Sequence, residues 1–159
     1  MPRIMKGNKA MTRQQKYPET STFHYHNENP RNRITTDCVI RAISTATEIP
    51  YNQVVMEMAE LQCKTGYDDG DKKLYDMYLK SKGWIKKQQP RKADGTKYTG
   101  KEFCKEASQH FEMLDRSIVA NIGGNHVVCI KANTFFEGHK VYDIWDCTCK
   151  TIGNYWIKP

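Results

Sequence analysis

Residues 31–44 read RNRITTDCVIRAIS. Thr36 and Asp37 stand directly before Cys38, and both are residue types that cap the start of a helix. Val39, Ile40, Ala42, Ile43 and Ala46 then give a broad apolar face at helical spacing. Pro50 cannot continue that pattern, so the stretch predicts a helix from about Asp37 to Thr47. It places a thiol in the first turn. A cysteine there is either a small core residue or a nucleophile whose thiolate is favoured by the positive end of the helix.

Working outward, Val54, Val55, Met58 and Leu61 recur at helical spacing in a second helix beginning near Tyr51. KTGYDDGDK reads as a loop, and KLYDMYLKSKG as a third helix stopped by Gly83. Trp84 and Ile85 read as extended, and Thr99 is placed to cap a fourth helix, KEFCKEASQHF. The period then changes. RSIVANIG, HVVCIK, KVYDIWDCT and GNYWIKP read as strands, with Gly123-Gly124 as a turn, and Thr22, Phe23 and Tyr25 suggest a short strand near the start. Helices first and a small antiparallel sheet after them predict an α+β fold. Residues 1–20 read as a flexible basic arm and 21–159 as one domain.

The chain has 159 residues and a net charge of +7, with 38% hydrophobic and 27% charged residues, which suits a soluble globular domain. No run is long and apolar enough to span a membrane, and the basic start lacks the apolar core of a secretory signal, so the expected location is cytoplasmic. Much of the charge lies in the first residues and in KSKGWIKKQQPRK, 80–92. Without a helix-turn-helix, zinc-finger or aromatic-basic signature, these read as solvated surface rather than as a nucleic-acid reader. The six cysteines form no CxxC pair, so free thiols are expected and no metal or cofactor is assigned.

A cysteine nucleophile needs a stabilised thiolate, a nearby base, a group that orients the base, and a donor for the developing oxyanion. His126, at the start of HVVCIK and behind a glycine turn, is the candidate base. If HVVCIK and KVYDIWD pair as a hairpin with its turn near Phe136, Asp146 falls opposite His126. A turn centred slightly earlier places Asp143 there instead. Asp146 is preferred and Asp143 is its rival. Asn32, six residues before Cys38, is the candidate side-chain donor to the oxyanion, beside the Cys38 N–H. Each of these taken alone has an ordinary structural explanation: a strand-end histidine, surface carboxylates, a turn asparagine.

An amide, six residues, a cysteine at a helix start, then a distant strand histidine and a carboxylate on the next strand: this arrangement resembles the papain-like cysteine peptidases. TTDCVIRAISTATEIPYNQV, GNHVVCI and VYDIWDCT look like small proteins of this kind from bacteria and their phages. The resemblance runs over about residues 28–157 and implies a papain-like fold, with the nucleophile helix packed on an antiparallel sheet. It implies a Cys38–His126–Asp146 triad, with Asn32 in the place of the family's glutamine, and a peptide or protein substrate. Val39 departs from the aromatic that usually follows the cysteine. Peptidase, amidase, isopeptidase, deamidase and acyl-transfer chemistry are all compatible with such a scaffold. The alternative is an inactive interaction protein whose basic arm binds an acidic partner or nucleic acid.

Other residues have plainer readings. His24 and His26 share a strand face without a third ligand at fixed spacing. Asp68-Asp69-Gly70-Asp71 lacks the closing glutamate of a calcium loop and reads as a turn. Arg41, one helical turn after Cys38, is placed to pair with an acid or to hold the helix. Trp145 and Trp156 read as core or cleft wall, and the five other cysteines as core or incidental thiols.

Overall fold

The computed structural model describes residues 9–110, 112–134 and 137–159. Among these described residues five helices and six strands follow in the order α1 (Arg13–Lys16), β1 (Phe23–Tyr25), α2 (Cys38–Thr47), α3 (Tyr51–Thr65), α4 (Lys72–Ser81), β2 (Ile85–Lys87), α5 (Gly100–Ala107), β3 (Ile118–Ile122), β4 (His126–Lys131), β5 (Lys140–Asp143) and β6 (Ile152–Ile157). The fold is α+β. The strands form one sheet in the order β1-β5-β4-β3-β6-β2. It is mixed rather than purely antiparallel, because β1 runs parallel to β5. No described helix is long and apolar enough to cross a membrane.

Both faces of the sheet are covered. Val119, Val127, Cys129, Tyr142 and Trp156 pack against α2, α3 and α4 through Ile43, Val54, Met58, Leu74 and Tyr75. The alternate residues Ile118, Ala120, Val128, Ile130 and Val141 pack against Phe103, Cys104 and Ala107 of α5 and against Phe23. A strand covered on both sides has apolar residues at both parities, so the hydrophobic pattern fixes its register only weakly. The expected hairpin register is therefore off by one residue. Cys129 pairs with Tyr142 and Ile130 with Val141. The turn expected near Phe136 lies outside the described residues.

Local chemistry explains the helix starts. Asp71 accepts from the Lys73 N–H at 2.8 Å to cap α4. Thr99 and Glu102 form a reciprocal capping box on α5. That helix ends at Ala107, earlier than its sequence suggests, and Phe111 lies outside the described residues. At α2, Asp37 occupies the cap position but makes no capping bond.

Part of the stretch expected as a free basic arm is docked. Thr12 and Gln15 close a capping box on α1, and Arg13 Nε donates to the Ile144 carbonyl at 2.6 Å. Glu19 takes the Lys140 ammonium at 2.7 Å. Residues 1–8 of the expected arm lie outside the described residues.

His139 is 2% exposed, with Nε2 3.1 Å from the Arg116 carbonyl and Nδ1 3.2 Å from Ser108 Oγ. A carbonyl only accepts, so the neutral ring carries its proton on Nε2. Burial holds the His139 pKa below the ordinary histidine value, although the carbonyls of Arg116 and Met113 oppose the shift. The unfolded chain therefore binds this proton first on acidification. The stabilising contribution is complete above the ordinary value of about 6.5 and shrinks below it, by at most about 1.4 kcal/mol per pH unit, until the folded-state pKa is passed. In chemical denaturation against pH, His139→Gln should lose this part of the acid slope while keeping the remainder.

Candidate active site

The site lies at the end of the sheet where β4 begins and β5 stops. Gly123 and Gly124 turn the chain there with φ of +63° and +88°, a region that glycine enters without strain. The turn delivers His126 to the first position of β4. The observed register, continued by one pair, sets Asp143 across from Val128 and diagonal to His126. His126 Nε2 lies 2.5 Å from Asp143 Oδ2. The rival carboxylate is thus the partner of His126, and the preference for Asp146 is corrected. Asp146 Oδ1 instead accepts from the Thr148 N–H at 3.0 Å and from Thr148 Oγ1 at 2.6 Å, closing the turn after β5.

Asp143 is 1% exposed, and its oxygens are fully engaged. Oδ1 accepts from Arg41 Nη1 at 2.7 Å and from the Ile144 N–H at 2.8 Å. Oδ2 faces His126 and the Cys147 thiol, the latter at 3.8 Å. Burial alone would raise the Asp143 pKa, but His126 and Arg41 outweigh it and hold the carboxyl below its usual range. Arg41, 5% exposed, also donates from Nε to Asp37 Oδ1 at 2.8 Å. Asp37 Oδ2 takes the Tyr51 hydroxyl at 2.7 Å and Asn29 Nδ2 at 3.0 Å. This is why Asp37 does not cap α2. Its carboxylate serves Arg41 instead, and the N–H groups of Cys38, Val39 and Ile40 accordingly find no acceptor among the described residues.

Cys38 is half-buried and borders an open cleft of about 960 Å³. Burial opposes its ionisation. The His126 side chain, the Val127 N–H and the charges of His126 and Arg41 outweigh burial and bring the Cys38 pKa below the ordinary thiol value. For His126, burial opposes the charged form, yet Asp143, Cys147 and Cys38 together push its pKa up to about 11. The two shifts act in the same sense, each favouring the charged form, a thiolate at Cys38 and an imidazolium at His126. Trp145 forms one cleft wall, its ring centroid 5.3 Å from that of His126. Val55, Met58, Ala59 and Gln62 present one face of α3 to the cleft.

Asn32 is not brought into this cleft. It is exposed, with φ of +54°, and its N–H closes a turn onto the Asn29 carbonyl at 2.9 Å. It serves as a turn residue in the conformation that asparagine tolerates best among non-glycine residues. The sequence reads Arg41 as a helix anchor or acid partner and Cys147 as a core or incidental thiol. The i, i+3 spacing of Cys38 and Arg41 is the available signal for the first. The place of Cys147 beside Asp143 is set by the turn after β5 and has no local signal.

Compared with protein-family models, curated proteins and solved structures, the chain matches none.

Metal-ligating atoms of His126, Asp143 and Cys147 lie within 4.8 Å of one another, the one such group among the described residues. A cation there would displace hydrogen bonds already made to both carboxylate oxygens and sit beside the Arg41 guanidinium. The arrangement fits a hydrogen-bond network better than a metal centre. His24 and His26 each pair with a separate carboxylate, Glu19 and Glu28. The basic run at 80–92 is partly neutralised, with Lys80 on Asp76, Lys82 on Glu57 and Lys92 on Glu102.

Two substitutions separate the carboxylates. Asp143→Asn should lower the alkylation rate of Cys38 at mildly acidic pH by about tenfold or more, the effect of one pKa unit on the thiolate fraction. Asp146→Asn should leave that rate within about twofold of the original, since among the described residues its carboxylate bonds only to Thr148.

Proposed function

We propose that the protein is a cysteine-dependent hydrolase acting on a peptide or other amide, with Cys38 as nucleophile, His126 as acid and base, and Asp143 as the group that orients His126. The observation carrying this reading is that a cysteine in the first turn of α2 and a histidine bonded to a buried carboxylate line the same open cleft, and the directions in which their pKa values are shifted, thiol down and imidazole up, support it. Perturbed pairs of this kind gather where chemistry is done. The nucleophile-helix-on-sheet layout is consistent with a papain-like scaffold, which belongs to the same proposal.

In the proposed reaction the Cys38 thiolate attacks the carbonyl carbon. The C–S bond forms as the carbonyl π pair moves to oxygen, beside the free N–H of Cys38. The His126 imidazolium gives its proton to the amide nitrogen as the C–N bond breaks, and the amine leaves. His126, now neutral, takes a proton from water as that water attacks the thioester, and the acid product departs with Cys38 restored. Asp143 keeps the ring oriented through Nε2 and favours its charged form, leaving Nδ1 as the nitrogen available to the thiol.

The test is iodoacetamide alkylation followed residue by residue by mass spectrometry. Cys38 should react fastest of the six thiols and stay reactive below about pH 7, where an ordinary thiol is mostly protonated. His126→Ala should abolish that advantage. Cys63 and Cys149, which are exposed, serve as internal references. A Cys38 that only keeps pace with them would refute the hydrolase reading and favour the inactive interaction protein.

A further inference from the structure

Asn32 lies outside the cleft, which leaves the site without the side-chain donor expected for an oxyanion. Asn121 of β3 supplies another amide. It pairs with Val127 across the β3–β4 register, and Val127 lines the cleft together with Cys38. Strand alternation puts Asn121 on the same sheet face as Val119, the face that packs on α2 and α4. It is 4% exposed. A polar side chain so placed needs a reason, because burying an unspent amide is unfavourable.

Half of that amide is spent. Asn121 Oδ1 accepts the Tyr75 hydroxyl at 2.7 Å, and Tyr75 itself lines the cleft. Burial and the nearby Cys38 charge both keep Tyr75 protonated, so it remains a donor to Asn121. The other half is not spent: Asn121 Nδ2 has no acceptor among the described residues. It is not sealed off either, since Thr22 Oγ1 is the one fully buried side-chain polar atom among them that lacks a partner. Holding an amide by its oxygen directs its nitrogen donor the other way. The result is a donor held by Tyr75 and paired across the sheet with Val127, two residues that line the cleft with Cys38.

We propose that Asn121, clamped by Tyr75, is the side-chain donor that receives the substrate carbonyl oxygen when Cys38 attacks. Together with the Cys38 N–H it makes a two-donor oxyanion site, in which Tyr75 is a positioning residue. This rests on Cys38 being the nucleophile.

Two reagents separate donor from nucleophile. With p-nitrophenyl acetate the Cys38 thiolate attacks the ester carbonyl, the π pair moves to oxygen, and collapse breaks the C–O bond and expels p-nitrophenolate. Water then cleaves the thioester to acetate and free thiol. With iodoacetamide the C–S bond forms as the C–I bond breaks and iodide leaves, with no oxyanion. Asn121→Ala should slow acylation of Cys38 by about 100-fold, the usual effect of losing one such donor, and change alkylation by less than about twofold. Tyr75→Phe, which keeps the amide but removes its clamp, should lower the same acylation-to-alkylation ratio by a smaller factor. Equal losses in both reactions, or an unchanged ratio, overturn the proposal. If Asn121→Ala does not fold by circular dichroism, the ratio in Tyr75→Phe decides alone. An unmodified protein whose Cys38 is slow with both reagents takes down the nucleophile and this proposal together.

Discussion

The contact on which the site depends is the ion pair between Arg41 and Asp143, 2.7 Å apart and almost wholly out of solvent. A lone buried carboxylate costs several kcal/mol, and breaking such a pair by removing one partner commonly costs about 3–5 kcal/mol. Asp143 stays ionised because His126 and the guanidinium that α2 brings to it together outweigh its burial. Arg41 is in turn fixed from the other side by Asp37, which Tyr51 and Asn29 hold. The start of α3 and the loop before α2 are thus tied to the end of β5 by one chain of charges and hydrogen bonds.

That chain also sets the aim of the nucleophile. Cys38 and Arg41 are three residues apart on α2, so they lie on neighbouring parts of one helix face. The helix face that brings Arg41 to Asp143 also sets Cys38 in the cleft that His126 and Val127 line. The same carboxylate that neutralises Arg41 orients His126 through its second oxygen. One buried acid therefore links helix docking, ring orientation and thiolate stability. It also explains the uncapped start of α2. Asp37 is drawn into the ion network, and the N–H groups it would have covered are left without an acceptor among the described residues.

Much of this was legible in the chain, for identifiable reasons. The helix from Cys38 to Thr47 is announced by its apolar spacing and by Pro50, and the start of α5 by Thr99 as its cap. Cys38 and His126 stood out because a helix start and a glycine turn are local features. The carboxylate was misassigned because it depends on register, and register is poorly specified in a strand with apolar residues on both faces. Val141 and Tyr142 each suit either core, so a slip of one residue costs the pattern nothing. Asn32 was misread because spacing to Cys38 says nothing about where a loop amide points. The parallel pairing of β1 with β5 and the docking of Arg13 on Ile144 join residues more than a hundred positions apart, beyond the reach of any local signal.

The central claim is that the buried Asp143 keeps His126 charged so that Cys38 can be a thiolate. Imidazole 15N NMR against pH reads this directly, with the His126 signals assigned by their absence in His126→Ala. The account predicts that His126 stays doubly protonated from about pH 5 to about pH 9, well past the range of a free histidine, as its pKa near 11 requires. Cys38→Ser should bring that titration down by removing the thiolate. A His126 that titrates near the ordinary value of about 6.5, and does so equally in both proteins, would contradict it.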